Sequence, residues 1–151
     1  MERAKHTLNE LLVDLFNYIL FIEEKNLKEN QIGLSMSEVH LLETIHKTRD
    51  NTMSRIAKRS MITQGTLTVS VNKLESRGLV IRRQDEKDKR ITRLEVTDRA
   101  REILAVHDRF HEAMIDRTVK DLKLNENEVL IQSLENLTDY FYSEYARQEK
   151  E

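Results

Sequence analysis

Apolar residues recur along the first part of the chain at steps of three and four: Leu8, Leu11, Leu12, Leu15, Phe16, Ile19 and Ile22. That spacing lines one face of an α-helix, so it predicts a long first helix ending near Asn30 to Gly33, with a stripe that needs a partner. A second helix opens at Ser35 or Ser37, buries Val39, Leu42 and Ile45, and stops at the polar break Lys47 to Asn51. Thr52 or Ser54 opens a short third helix carrying Ile56 and Ala57. Thr63 caps a fourth, in which Leu67, Val71 and Leu74 face inward and Gly78 closes the end. Beyond Gly78 the period drops to two: Leu79 and Ile81, then Leu94 and Val96, are the inward positions of two strands joined across the charged loop Gln84 to Arg90. Helical spacing returns from Thr97, with Ile103, His107, Phe110 and Met114 on one stripe, and a sixth helix from about Asn125 carries Leu130, Leu134, Leu137 and Phe141.

Composition narrows this picture. The absence of proline and the presence of only three glycines favour long helices and leave no material for a glycine-rich phosphate loop. With no cysteine there is no disulfide framework and no thiolate metal site. The N-terminus lacks a signal-peptide pattern, and the most apolar run, Ile19 to Ile22, falls far short of a membrane span, so a cytoplasmic location without membrane association is expected. No nucleophile–base pair or carboxylate dyad stands at a convincing spacing, which argues against an enzyme. The chain carries a formal charge of −2, yet the stretch from Met53 to Arg93 holds eleven Lys/Arg against four Asp/Glu, or +7. A basic module inside an acidic scaffold is the charge distribution expected when one face meets phosphate.

The order helix, tight corner, helix, β-hairpin is that of a winged helix-turn-helix, so the fold class expected is mainly α with a small β-hairpin wing. In that arrangement the fourth helix enters the major groove. Its outward positions are Gln64, Gly65, Thr68, Val69 and Asn72, opposite Leu67, Val71 and Leu74. Gln64 suits adenine, Thr68 a thymine methyl or a base acceptor, and Gly65 lets the backbone approach closely. Ser54, Thr63, Thr66 and Lys73 are placed to hold phosphates, although Thr63 is equally explained as a helix cap. Arg82, Arg83, Lys87, Lys89 and Arg90 are expected at or near the hairpin tip, where arginine reads a narrowed minor groove. Asp88, two residues before Arg90, is expected to orient that guanidinium or brace the turn.

The stretch SRIAKRSMITQGTLTVSVNKLESRGLVIRRQDEKDKRITRLEVTDRARE resembles the core of the MarR family of regulators. The resemblance rests on Asp88 and Arg90 in the wing, Leu74, Glu75 and Gly78 closing the fourth helix, and Thr97 between strand and helix. Ala100 stands where many members have glycine. It implies one domain over residues 1–151, with 34–97 as the winged DNA-binding lobe and 1–33 and 98–151 as dimerisation helices. The unpaired stripes of the first, fifth and sixth helices argue for a homodimer independently. Two reader helices about 34 Å apart would then face an approximately palindromic double-stranded operator.

The stretches IEEKNLK, MITQGTLTVSVNKLE and HDRFHEAM carry a narrower resemblance to the fatty-acid-synthesis repressors of that family. It implies repression of fatty-acid synthesis genes with a long-chain acyl-acyl carrier protein as co-repressor, so the effector expected is an acyl chain and no cofactor is required. A paralogue with another operator or effector fits the same residues. His107 and His111 lie one helical turn apart, and the family resemblance brings His40 near them. These three resemble part of the site of zinc-responsive members, with Val106 where those carry an acid, and a buried hydrogen-bonded cluster explains them equally. Glu23 and Glu24 either complete such a site, line an effector pocket or are simply solvated.

Overall fold

The computed structural model describes residues 1–148. It falls into two compact units, Met1–Asp108 and the stretch from Arg109 onward. In the first unit, α1 (Glu2–Glu10) continues through a π-helical turn (Leu11–Leu15) into α2 (Phe16–Glu29). The helix-turn-helix region follows: α3 (Met36–Lys47), α4 (Met53–Arg59) and α5 (Gln64–Ser76). The hairpin β1 (Val80–Gln84) and β2 (Thr92–Val96) leads into α6 (Asp98–Leu122), and α7 (Glu128–Gln148) follows a short 3-10 turn.

Local chemistry explains the element ends. Ser35 caps α3 in a reciprocal box with Glu38, which returns a carboxylate oxygen to the Ser35 N–H at 2.8 Å. Thr52 and Thr63 cap α4 and α5 with their hydroxyls, and Thr97 accepts the Ala100 N–H at the start of α6. The end of α5 is a Schellman turn: the Gly78 N–H reaches the Glu75 carbonyl and the Leu79 N–H the Leu74 carbonyl, both at 2.9 Å. Gly78 sits there at φ +68°, where a side chain would be strained. The same two-bond ending closes α4 with Met61 at φ +54°.

Leu42, Ile56, Leu67, Leu74, Leu94 and Val96 sit in one core that ties α3, α4, α5 and the hairpin together. The hairpin register pairs Val80 with Val96 and Arg82 with Leu94. The buried strand residue is therefore Val80, while Ile81, expected inward, is 40% exposed. Leu79 is buried as the residue that completes the Schellman turn, so strand alternation begins one position later than the sequence pattern suggests. A third segment joins the sheet edge through an isolated bridge between Thr52 and Arg93. The last helix starts at Glu128, three residues past the expected Asn125, because Asn127 supplies the cap to the Leu130 N–H at 3.0 Å. No described helix is long and apolar enough to cross a membrane.

Candidate nucleic-acid interface

Burial on α5 divides the helix as the periodicity requires. Leu67, Val71 and Leu74 are buried, whereas Gln64, Gly65, Thr68, Val69 and Asn72 are exposed along the opposite side. The Thr63 hydroxyl accepts the Thr66 N–H at 3.1 Å and lies 2.9 Å from the Thr66 hydroxyl, so two polar side chains cluster at the helix N-terminus. Backbone N–H groups of such a terminus attract phosphate. Ser54 is exposed in the first turn of α4, 3.4 Å from the Thr52 hydroxyl.

A Cβ built on Gly65 would meet nothing nearer than the Thr63 hydroxyl at 3.8 Å, an ordinary contact. Nothing inside the protein requires glycine there. Gly65→Ala is therefore expected to stabilise the fold by about 0.5–1 kcal/mol, as helix propensity dictates, in a denaturant titration. The same variant should weaken duplex binding by filling space the DNA backbone needs; unchanged binding would show that Gly65 faces no partner.

Three of the cations assigned to DNA are held within the protein. Lys73 Nζ is 2.8 Å from a Glu38 carboxylate oxygen. Burial raises the Glu38 pKa, but the hydrogen bonds from Lys73 and Ser35 outweigh it and leave it lowered. Arg82 donates to Glu75 and, at 2.6 Å, to the Asn72 side-chain oxygen. Arg82 also lies in mid-strand, not at the hairpin tip, because β1 extends to Gln84. It fastens the root of the wing to the reader helix. Arg83 likewise pairs across the strands with Glu95 at 2.7 Å.

The tip itself carries Lys87, Lys89 and Arg90, all exposed, with the Arg90 side chain 94% so. Asp88 accepts the Arg90 N–H at 3.0 Å and sits 3.8 Å from the Arg90 Nε, so it both closes the turn and flanks the guanidinium. The principal brace is Asp85, which the sequence reading missed. One Asp85 oxygen accepts the N–H groups of Lys87 and Asp88 at 2.8 and 3.0 Å, and the other accepts Arg93 Nε at 2.6 Å. Arg93 Nη1 continues to Asp50 at 2.9 Å, and Asp50 lies 3.4 Å from Arg55 on α4. Alternating charges thus run from the wing tip to the first helix of the helix-turn-helix.

The Asp88 backbone N–H, Arg93 and the Lys87 N–H together hold the Asp85 carboxyl down at about 2. A depressed carboxylate pKa contributes stability that is present above the unfolded value near 4 and is lost as pH falls toward 2. The Asp85 carboxyl should therefore titrate near 2 when followed by NMR, with the turn intact at pH 4. Titration at the unperturbed value would mean that the brace does not form.

The histidines divide between the units. In the first, Glu23 is 3% and His107 2% exposed. There His40 Nε2 lies 3.9 Å from a Glu23 oxygen, and the His40 and His107 ring centroids are 5.8 Å apart. His111 belongs to the second unit, where its ring meets Phe110 edge-on with centroids 6.2 Å apart. A cavity of about 540 Å³ opens between α3, the α4–α5 corner and α5, lined by His40, Leu41, Arg59, Met61 and Thr66 among others.

A family model described as "MarR family" matches residues 34–92. The crystal structure of FabT from Streptococcus pneumoniae in complex with DNA is 35% identical, with a TM-score of 0.85 over 92% of this chain and 98% of that one. The HTH-type transcriptional regulator MhqR of Bacillus subtilis is 29% identical over 107 residues, 70% of this chain and 72% of its own length. The regulator BldR from Sulfolobus solfataricus, at 24% identity and a TM-score of 0.67 over 91% of this chain and 96% of that one, shares the fold.

Proposed function

This chain belongs to the MarR family of DNA-binding transcription regulators, and on that premise we propose that it is a homodimeric repressor of fatty-acid biosynthesis genes, with acyl-acyl carrier protein as co-repressor. The observation that carries DNA recognition is the polar, outward side of α5, flanked by the cationic wing tip. The likeness to FabT bound to DNA supports the same reading. Dimerisation is supported by apolar stripes left open on both units: Leu8, Leu12, Leu15 and Phe16 near the N-terminus, and Leu130, Leu134 and Phe141 on α7. A second copy of the chain would cover such stripes.

The resemblance of IEEKNLK, MITQGTLTVSVNKLE and HDRFHEAM to fatty-acid-synthesis repressors supports the finer reading. The cavity beside the reader suits an effector, since Leu41, Met61 and Ile62 offer apolar wall while Thr66 and Ser70 belong to α5 itself. An acyl chain seated there would bias the reader toward its binding orientation. Recovering bound fragments from genomic DNA tests the assignment: fatty-acid synthesis promoters should be enriched, and their affinity should rise when long-chain acyl-acyl carrier protein is added. Enrichment of unrelated promoters, or indifference to the acyl protein, would sink it.

A second reading is favoured by the buried Glu23 carboxylate beside His40 and His107. Glu23, His40 and His107 are of the types that bind zinc, and a metal there would make the repressor zinc-responsive. Titrating zinc against operator affinity separates the two; equal affinity with and without chelator ends the metal reading.

A further inference from the structure

The reader helix carries an unusual outward residue. Val69 is 69% exposed on the side of α5 that bears Gln64, Thr68 and Asn72. A β-branched aliphatic residue there serves neither helix propensity nor the core, which Leu67, Val71 and Leu74 already fill from the other side. Thr68 is similarly committed. Its hydroxyl donates to the Gln64 carbonyl at 2.8 Å, so what it retains for a base is an acceptor lone pair and its methyl group.

From Gln64 to Asn72 the helix contains no Lys or Arg, and the next cation, Lys73, is paired with Glu38. The bidentate arginine or lysine contact to guanine, the commonest specific contact in the major groove, is therefore absent from the reader. Apolar groups facing the groove have one base feature to meet, the C5 methyl of thymine, while an amide such as Gln64 suits adenine.

We propose that α5 selects its site by packing Val69, with Thr68 beside it, against thymine methyl groups. This rests on the DNA-binding reading above and adds the chemical feature being read. A single buried methyl is worth about 0.8 kcal/mol, or about fourfold in affinity.

The test uses the full chain and a randomised duplex library. The selected duplex is remade with deoxyuridine in place of each thymine in turn, which deletes the methyl and leaves every base pair intact. Loss of about fourfold is expected at one or two positions in each half-site. Val69→Ala should lose the same amount on the thymine duplex and almost nothing further on the deoxyuridine duplex. Uniform indifference to deoxyuridine overturns the inference while leaving DNA binding intact, as does equal loss by Val69→Ala on both duplexes. A library that yields no enriched duplex instead overturns the DNA-binding reading beneath it.

Discussion

Raising the salt from about 50 to about 200 mM should weaken the proposed dimer's hold on its duplex by about a thousandfold. Each subunit presents three exposed wing-tip cations, Lys87, Lys89 and Arg90, so a dimer brings six to the phosphate backbone. Counterion release then gives a log–log slope of about −5, and that slope over a fourfold change in salt gives the thousandfold loss. Lys73 and Arg82 are left out of the count because Glu38, Glu75 and Asn72 already engage them. Arg90→Ala, which removes two of the six, should flatten the slope by about two. Fluorescence anisotropy across a salt series measures both; a loss below tenfold in the parent protein would show that the wing does not meet phosphate.

Arg93→Ala should cost about ten- to a hundredfold in affinity although Arg93 itself need never touch DNA, since freeing the tip forfeits the equivalent of about one good contact, worth about 1–3 kcal/mol. Arg93 joins Asp85 in the wing loop to Asp50 before α4, so its removal frees the tip and leaves two carboxylates without their shared cation. Arg93→Lys should recover little, because an ammonium cannot reproduce the two-sided fork of a guanidinium. The discriminating measurement is a duplex trimmed of the flanking base pairs that the wing would reach. On the trimmed duplex the parent and Arg93→Ala should bind equally, and circular dichroism should be unchanged. A persisting difference there would place the defect in the reader or the fold.

These expectations depend on features of unequal legibility in the sequence. The side of α5 that turns outward, the caps at Ser35, Thr52 and Thr63 and the glycine that ends the reader are all local, set by residues within four positions of one another. Asp85 went unassigned although a local signal was there, since an aspartate two and three residues before the N–H groups it binds is an ordinary turn signal. The hairpin register was misjudged by one position at Ile81, because the Schellman turn consumed Leu79 before the strand began.

By itself the sequence determined the order of the elements, the capped starts of α3, α4 and α5, which side of the reader is apolar, and that a basic segment lies in the middle of the chain. Only the tertiary structure decided which cations of that segment remain available. Lys73 meets Glu38 and Arg93 meets Asp50 across 35 and 43 positions of chain, and Arg82 turns from the wing to the reader. Helical and strand periods encode the direction a side chain faces within its own element. Ion-pair partners are brought together by the packing of different elements, and no local period records them.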